Sequence, residues 1–245
     1  MTDRRAAPPV PVLLSLLATA VLAFGCSSAA APVVGTTFPP AAPTRTVDPE
    51  KVIAGLKKEL GPDSPVRFKA TADAYVDDIL LKLVLDGDFQ GNEMDGHIKY
   101  QAGGLQLSFH VIAADGKAYV KPYKGKWVKS PEKVPPDGSG PFGDMRKAKL
   151  KFTGVSKTDR DLYTVVWSDP THAGRALDGT LFTSPRIKSA VMTFQVDEAG
   201  KPYTATYTLK GTAKVDGTSY KLKIEGYYQF FAIRDKLEFK SPLKK

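Results

Sequence analysis

The spacing of apolar residues changes near residue 65, from a helical period to the alternation that is typical of strands. Four apolar residues recur at helical spacing between Asp48, whose carboxylate suits a helix N-cap, and the Gly61-Pro62 pair, which ends a helix. This stripe consists of Val52, Ile53, Leu56 and Leu60. We therefore predict one amphipathic helix over residues 48–60, which needs an apolar surface to lie against.

After this helix, apolar and polar residues alternate in runs of strand length. Turn-forming pairs such as Gly103-Gly104 and Asp216-Gly217 separate the runs, so successive strands should form hairpins. One side of each run is apolar, and these sides together predict a continuous apolar face. The residues that represent this face are Leu81, Leu83, Leu85, Leu107, Phe109, Val111, Met192, Phe194, Leu222 and Ile224.

This spacing predicts about nine to eleven antiparallel strands. A sheet of that width must curl, close or split, and one helix is too short to cover its apolar face. The predicted fold class is therefore mainly β, within α+β: a strongly curved sheet or half-open β-barrel, with the N-terminal helix over one side. All of it belongs to one domain, residues 48–245.

Residues 1–25 have the features of an export signal. Arg4 and Arg5 give it a positive start, and the mostly apolar stretch from Val12 to Gly25 has the length of a signal core rather than of a membrane-spanning helix. The adjacent arginines leave both the general secretory route and the twin-arginine route open.

The end of this stretch, Ala23-Phe24-Gly25-Cys26, resembles a bacterial lipobox, in which the cysteine is acylated. The alternatives are an uncleaved anchor or a soluble secretory signal with a chance cysteine. Residues 26–47 are rich in Pro and Ala and cannot form a core, so they would act as an extended tether. We therefore predict a protein on the extracytoplasmic face of the cell membrane, anchored in membrane lipid through acylated Cys26.

Composition and charge exclude several classes of protein. The 245 residues are 42% hydrophobic and 25% charged, as in ordinary folded domains, so wholesale disorder is excluded. The single cysteine forbids an internal disulfide and zinc sites built on paired cysteines. The formal net charge of +9 favours anionic neighbours, such as lipid headgroups, cell-wall polymers or nucleic acid.

No set of residues predicts catalysis, a metal site or a cofactor. His97, His110 and His172 are the only histidines, and none belongs to a catalytic motif. The aspartates between residues 73 and 78 lack the spacing and the glycine of a calcium-binding loop. We therefore expect a protein that is not an enzyme.

Lysines alternate with aromatic residues near residue 125. Lys121, Lys124, Lys126 and Trp127 form the candidate contact with anionic headgroups, where each lysine is worth about 1 kcal/mol. The alternative is a solvated strand edge, on which lysines prevent aggregation. Single-stranded nucleic acid would also suit this pattern, but we do not expect it as a partner outside the membrane.

Several segments together resemble actinobacterial lipoproteins of the LppX/LprAFG type, which are similar in fold to the lipoprotein carrier LolA. The resemblance rests on the lipobox, the tether and the segments 83–98, 115–121 and 125–128, and it extends loosely over residues 66–240. It implies a half-open antiparallel barrel whose apolar cavity takes the acyl chains of lipids, glycolipids or lipoproteins. It implies no catalytic residues.

Two functions therefore stay open. The first is a lipid-binding or lipid-shuttling lipoprotein, with a lipid or glycolipid as cargo and the apolar face as the lining of its cavity. The second is a tethered β-domain with a filled core that binds a protein or a cell-envelope polymer through its basic surface. Leucine, valine, methionine and phenylalanine would line a cavity or fill a core equally well, so the sequence does not separate the two.

Overall fold

The computed structural model describes most of the chain that follows the predicted tether. The predicted signal, Cys26 and all of the tether but its last residue lie outside the described residues. The structure describes residues 47–77, 79–91, 93–133, 145–157, 161–177, 183–233 and 237–243.

Two α-helices, one 3₁₀ turn and eleven strands make up the described part of the chain. The helices are α1 (Pro49–Glu59) and α2 (Pro170–Leu177), and the 3₁₀ turn is Met145–Lys147. The strands are β1 (Val66–Val76), β2 (Ile79–Gln90), β3 (Glu93–Ala102), β4 (Leu105–Ala114), β5 (Lys117–Pro122), β6 (Val128–Lys133), β7 (Leu150–Lys157), β8 (Asp161–Ser168), β9 (Thr183–Val196), β10 (Pro202–Val215) and β11 (Thr218–Phe231).

Helix α1 confirms the helix that the sequence predicts. Its N-cap is Asp48, whose carboxylate accepts a hydrogen bond from the backbone N–H of Glu50 at 2.9 Å. Pro49 occupies the first turn, where its missing N–H costs nothing. Val52 and Leu56, on the predicted apolar stripe, are completely buried, so this face of the helix packs on the core.

One antiparallel sheet contains all eleven strands, in the order β6-β5-β4-β3-β2-β1-β11-β10-β9-β8-β7. The chain thus forms two meanders, β1 to β6 and β7 to β11, and the ladder between β1 and β11 joins them. Strands β6 and β7 are the two edges, so the curved sheet does not close. This architecture confirms the predicted mainly β fold and its half-open barrel.

Each strand turns one row of side chains toward the core, and we call the surface formed by these rows the inner face. The ladders align the rows: Leu83 lies opposite Ala72 on β1 and opposite Tyr100 on β3. On β1 to β4, no inner-face position carries a charged side chain. Burial raises the pKa of Tyr207 and Tyr228 far above the ordinary value, so both phenols stay neutral.

The two ends of the sheet differ. At one end, which we call the helix end, the backbone of α1 touches the turn between β9 and β10. A Cβ added at Gly55 would lie 1.7 Å from the carbonyl oxygen of Ala199, and one added at Gly200 would lie 2.3 Å from that of Val52. Only glycines permit this approach. The opposite end, which we call the open end, carries the β1–β2, β3–β4, β5–β6 and β10–β11 turns.

Gly55→Ala should destabilise the protein, although alanine is the better helix former. The added Cβ would collide with the Ala199 carbonyl, and overpacking of this kind costs about 1–3 kcal/mol, against about 1 kcal/mol gained in helix propensity. Gly174→Ala in α2 is the matched control, because its Cβ would meet Ile187 Cγ1 at an ordinary 3.7 Å. Urea unfolding measures both variants. Wild-type stability in Gly55→Ala would contradict the contact between α1 and the turn.

Candidate functional site

On β2 and β4, the inner face is exposed at the open end and becomes buried toward the helix end, whereas on β1 and β10 it is buried near the open end as well, at Val76 and Ala213. Along β2, the exposed fraction falls from 59% at Ile79, through the partly buried Leu81, to 1% at Leu85. Along β4, it falls from 55% at Leu105 to 2% at Val111. We call the exposed and partly buried part of this surface on β2 to β4 the apolar mouth. It consists of Ile79, Leu81, Tyr100, Ala102, Leu105 and Leu107.

The strand register makes the apolar mouth one continuous surface. Ala102 lies opposite Leu81 on β2 and opposite Leu105 on β4, and Tyr100 lies opposite Leu107. The Cβ atoms of such directly opposed residues are about 5 Å apart, so their side chains touch. Burial raises the pKa of Tyr100 far above the ordinary value, which keeps its phenol neutral. The mouth is therefore apolar and uncharged.

Toward the helix end, side chains fill the space above the inner face. Phe194 and Ile224 have no exposed surface, and the rings of Phe68 and Phe89 stack with their centroids 4.6 Å apart. A void wide enough for an acyl chain beside these residues would leave part of their surface exposed. The part of the inner face that a ligand could reach is therefore the apolar mouth.

All ten residues that the sequence predicts as cavity lining lie on the inner face, in the core or packed against it. Two of them, Leu81 and Leu107, belong to the apolar mouth. Their role in lipid binding stays a prediction. The other eight are buried in this structure: Leu83, Leu85, Phe109, Val111, Met192, Phe194, Leu222 and Ile224.

The turns of the open end are displaced stepwise along the strands. The β5–β6 turn follows Pro122, which lies opposite Phe109, whereas the β3–β4 turn follows Ala102, which lies opposite Leu105. The β10–β11 turn, which follows Val215, lies furthest from the helix end along the strands. The strands of a barrel tilt relative to its axis. This stagger is what tilted strands need for their turns to share one rim.

The residues predicted to contact headgroups lie on or beside the β5–β6 turn. Lys121, Lys124 and Lys126 are exposed, so an anionic surface can reach them. Trp127 is partly buried, and its ring packs against His110 with the centroids 4.8 Å apart. The headgroup contact of all four residues stays a prediction, and the ring of Trp127 also attaches the turn to the sheet.

A cluster on the outer face of the sheet surrounds His110. Its Nε2 lies 2.5 Å from Oδ1 of Asp95, and its ring stacks on that of His97 with the centroids 4.2 Å apart. Trp127 packs against the same imidazole, so the cluster links β3, β4 and the β5–β6 turn. Partial burial, and then the proximity of His110, lower the pKa of His97.

The predictions from the sequence do not include this histidine pair. The two-residue turn at Gly103-Gly104 sets the register of its hairpin, and His97 and His110 are equally distant from that turn. They therefore lie opposite each other, and this equal spacing is the signal that could have found them. No spacing rule places Trp127 on His110, because its contact comes from the irregular turn after β5.

The aspartates near residue 75 stabilise the sheet. Asp73 lies on β1 with its carboxylate 3.8 Å from Lys82 Nζ, and Asp77 accepts a hydrogen bond from the backbone N–H of Lys221 at 2.7 Å. Asp78 lies outside the described residues.

Over the described ranges, no group of three His, Cys, Asp or Glu residues could hold a metal ion. Nor does that part of the chain contain a helix long and apolar enough to cross a membrane.

Comparison with known proteins does not identify a family. No family model matches the chain, and no curated protein sequence matches it significantly. The resemblance to LppX/LprAFG lipoproteins therefore stays a prediction.

Several solved structures align with much of the chain at low similarity. A DUF1329 family protein from Desulfovibrio piger is 10% identical, with 79% of this chain and 95% of that chain covered and a TM-score of 0.28. The MucA/MucB complex of Pseudomonas aeruginosa gives 9% identity, coverage of 71% and 92%, and a TM-score of 0.29. A β-barrel-like DUF1849 protein from Brucella abortus gives 11% identity, coverage of 69% and 97%, and a TM-score of 0.22. These values are too low to support an inference about function.

Acidification should destabilise the protein through His97. The pKa of His97 lies below its ordinary value of 6.5 in the folded protein, so the unfolded chain binds the proton more tightly. The stabilising effect of the neutral ring is complete above about pH 6.5 and is lost as the pH falls below that value. We expect the melting temperature of His97→Gln to fall less than that of the wild type between about pH 7.5 and about pH 5. Identical pH profiles for the two proteins would contradict this assignment.

Proposed function

We propose that this protein is a membrane-anchored lipoprotein that binds the acyl chains of lipids or glycolipids at its apolar mouth. The observation that carries the proposal is the uncharged inner face at the open end, where Ile79 and Leu105 are more than half exposed. Contiguous exposed apolar surface is a feature of ligand-binding grooves.

Burial of apolar surface can supply the affinity without polar recognition. Each buried methylene contributes about 0.8 kcal/mol, so six methylenes in the mouth would contribute roughly 5 kcal/mol before the costs of association. A charged headgroup would stay outside, because burying it unpaired among Leu81, Tyr100 and Leu107 is costly. The exposed Lys121 and Lys124 are available to anionic headgroups at the rim.

Membrane attachment is part of the same proposal. The features of residues 1–25 support export, and the position of Cys26 supports acylation at the end of the signal. The tether of residues 26–47 could extend by about 3 Å per residue, so it would hold the domain within a few nanometres of the bilayer. A domain held in this way could take lipid from the membrane to which it is attached.

The alternative proposal is a tethered module that binds a protein or a cell-envelope polymer through its basic surface. The burial of Leu85, Phe194 and Ile224 supports it, because fully buried side chains are what a filled core contains. A salt-sensitive partner and the absence of co-purifying lipid would support this function. In neither proposal does the protein act as an enzyme.

Lipid should co-purify with residues 27–245, which contain every described element. Native mass spectrometry should show adducts of lipid mass that disappear on organic extraction. Ala102→Trp should remove these adducts, because an indole would fill the mouth, whereas Ala102→Ser keeps the mouth open and should retain them. Adducts that persist in Ala102→Trp would exclude the mouth as the site. Clean protein after incubation with membranes would favour the filled-core alternative.

Cys26→Ala should abolish lipid attachment. In a host that processes lipoproteins, labelled palmitate should appear in the wild type and in the control Ser27→Ala, and be absent from Cys26→Ala. The wild type should also stay with membranes, because two or more acyl chains anchor a protein stably. Labelling of Cys26→Ala would place the anchor elsewhere, and no labelling of any variant would favour a soluble secretory signal.

A further inference from the structure

The β3–β4 turn presents an apolar residue on an uncharged hairpin. Gly103 and Gly104 both have positive φ and form a tight turn, and Leu105 directly after them is 55% exposed. From residue 100 to residue 109 the chain contains no charged residue. Hairpin turns that face water are commonly rich in polar residues. This turn therefore suits a surface less polar than water.

The neighbouring β5–β6 turn combines an exposed aromatic ring with positive charge. Tyr123 is 75% exposed, and Lys124 Nζ lies over its ring, 5.4 Å from the centroid. Residues 116–131 contain five lysines and no acidic residue. Tyrosine and lysine both carry an apolar body with a polar end, and this combination suits the boundary between lipid headgroups and acyl chains.

Charge distinguishes the two ends of the sheet. The turns of the helix end include the exposed Asp115 and Glu198, whereas lysines dominate the β5–β6 turn at the open end. The open end also carries Asp77 and Asp216, on turns further along the rim. The helix end carries lysines beside these acids, at Lys117 and Lys201. An anionic surface would therefore attract the β5–β6 side of the open end more strongly than the helix end.

We propose that the open end docks onto an anionic bilayer through the β3–β4 and β5–β6 turns, with Leu105 and Tyr123 at the level of the headgroups and Lys124 and Lys126 against their phosphates. This docking rests on the proposed function, since it gives an acyl chain a direct path into the apolar mouth. The exposed Ile79, the first residue of β2, extends the same contact surface.

Vesicle flotation of residues 27–245 tests the charge contact. The protein should float with phosphatidylglycerol–phosphatidylcholine vesicles and not with phosphatidylcholine alone. Lys124→Gln with Lys126→Gln should weaken binding roughly 30-fold, because each lysine near an anionic surface contributes about fivefold. Lys117→Gln with Lys201→Gln makes the same charge change at the helix end and should have little effect. Equal weakening by both pairs, or no binding at all, would overturn the docking surface.

Site-specific fluorescence tests the orientation. Residues 27–245 contain no cysteine, so Leu105→Cys and Phe231→Cys each accept one environment-sensitive dye. Both positions are exposed, but Phe231 lies at the helix end of β11. Anionic vesicles should shift the emission to the blue at position 105 and leave position 231 unchanged. No shift at position 105, or equal shifts at both, would overturn the proposed orientation.

Docking and cargo binding can fail separately. Ala102→Trp should lose the lipid adducts and retain vesicle binding, because it leaves Lys124 and Lys126 unchanged. A wild-type protein that holds lipid but does not bind vesicles overturns docking and leaves lipid binding intact. A protein that binds vesicles through these turns but holds no lipid overturns the proposed cargo and leaves the docking surface.

Discussion

The ladder between β1 and β11 holds the sheet together. It pairs the first strand with the last, from Arg67 opposite Phe231 to Val76 opposite Leu222. Every other ladder joins strands that follow each other in the chain. Without this seam the described strands would form two meanders of six and five strands, each with an exposed inner face. Joined, the two meanders curl over a common core.

Small residues on the inner face allow this curl at the seam. Ala72 on β1 lies directly opposite Gly226 on β11, and neighbouring inner positions of β1 are Ala70 and Ala74. Bulky side chains on the concave side of a sharply curved sheet would collide. The larger residues of the adjacent strands, such as Tyr207, can therefore extend over the seam. The small side chains of β1 leave space that the larger side chains of the neighbouring strands fill, so the core is closely packed at the seam.

The same curl gives the molecule two unlike ends, and the candidate function depends on that asymmetry. At the helix end, Gly55 and Gly200 let α1 approach closely enough to cover the core. At the open end, the inner face reaches solvent at Leu105. On the outer face, His110 attaches the β5–β6 turn to the sheet through Trp127, which sets where the lysines of that turn are presented. The apolar mouth and the lysine-rich β5–β6 turn thus both lie at the open end.

The strands, their apolar face, the helix after Asp48 and much of the hairpin register follow from the sequence, because these depend on local periodicity, capping and turn residues. The equal spacing of His97 and His110 from their turn likewise places them opposite each other. The tertiary fold is needed to pair β1 with β11, since strands so far apart in the chain share no turn that sets their register. It also decided that Leu105 is exposed and Val111 buried. Both belong to one alternating run, and alternation specifies the face of a sheet but not the depth at which a residue lies beneath the opposite wall.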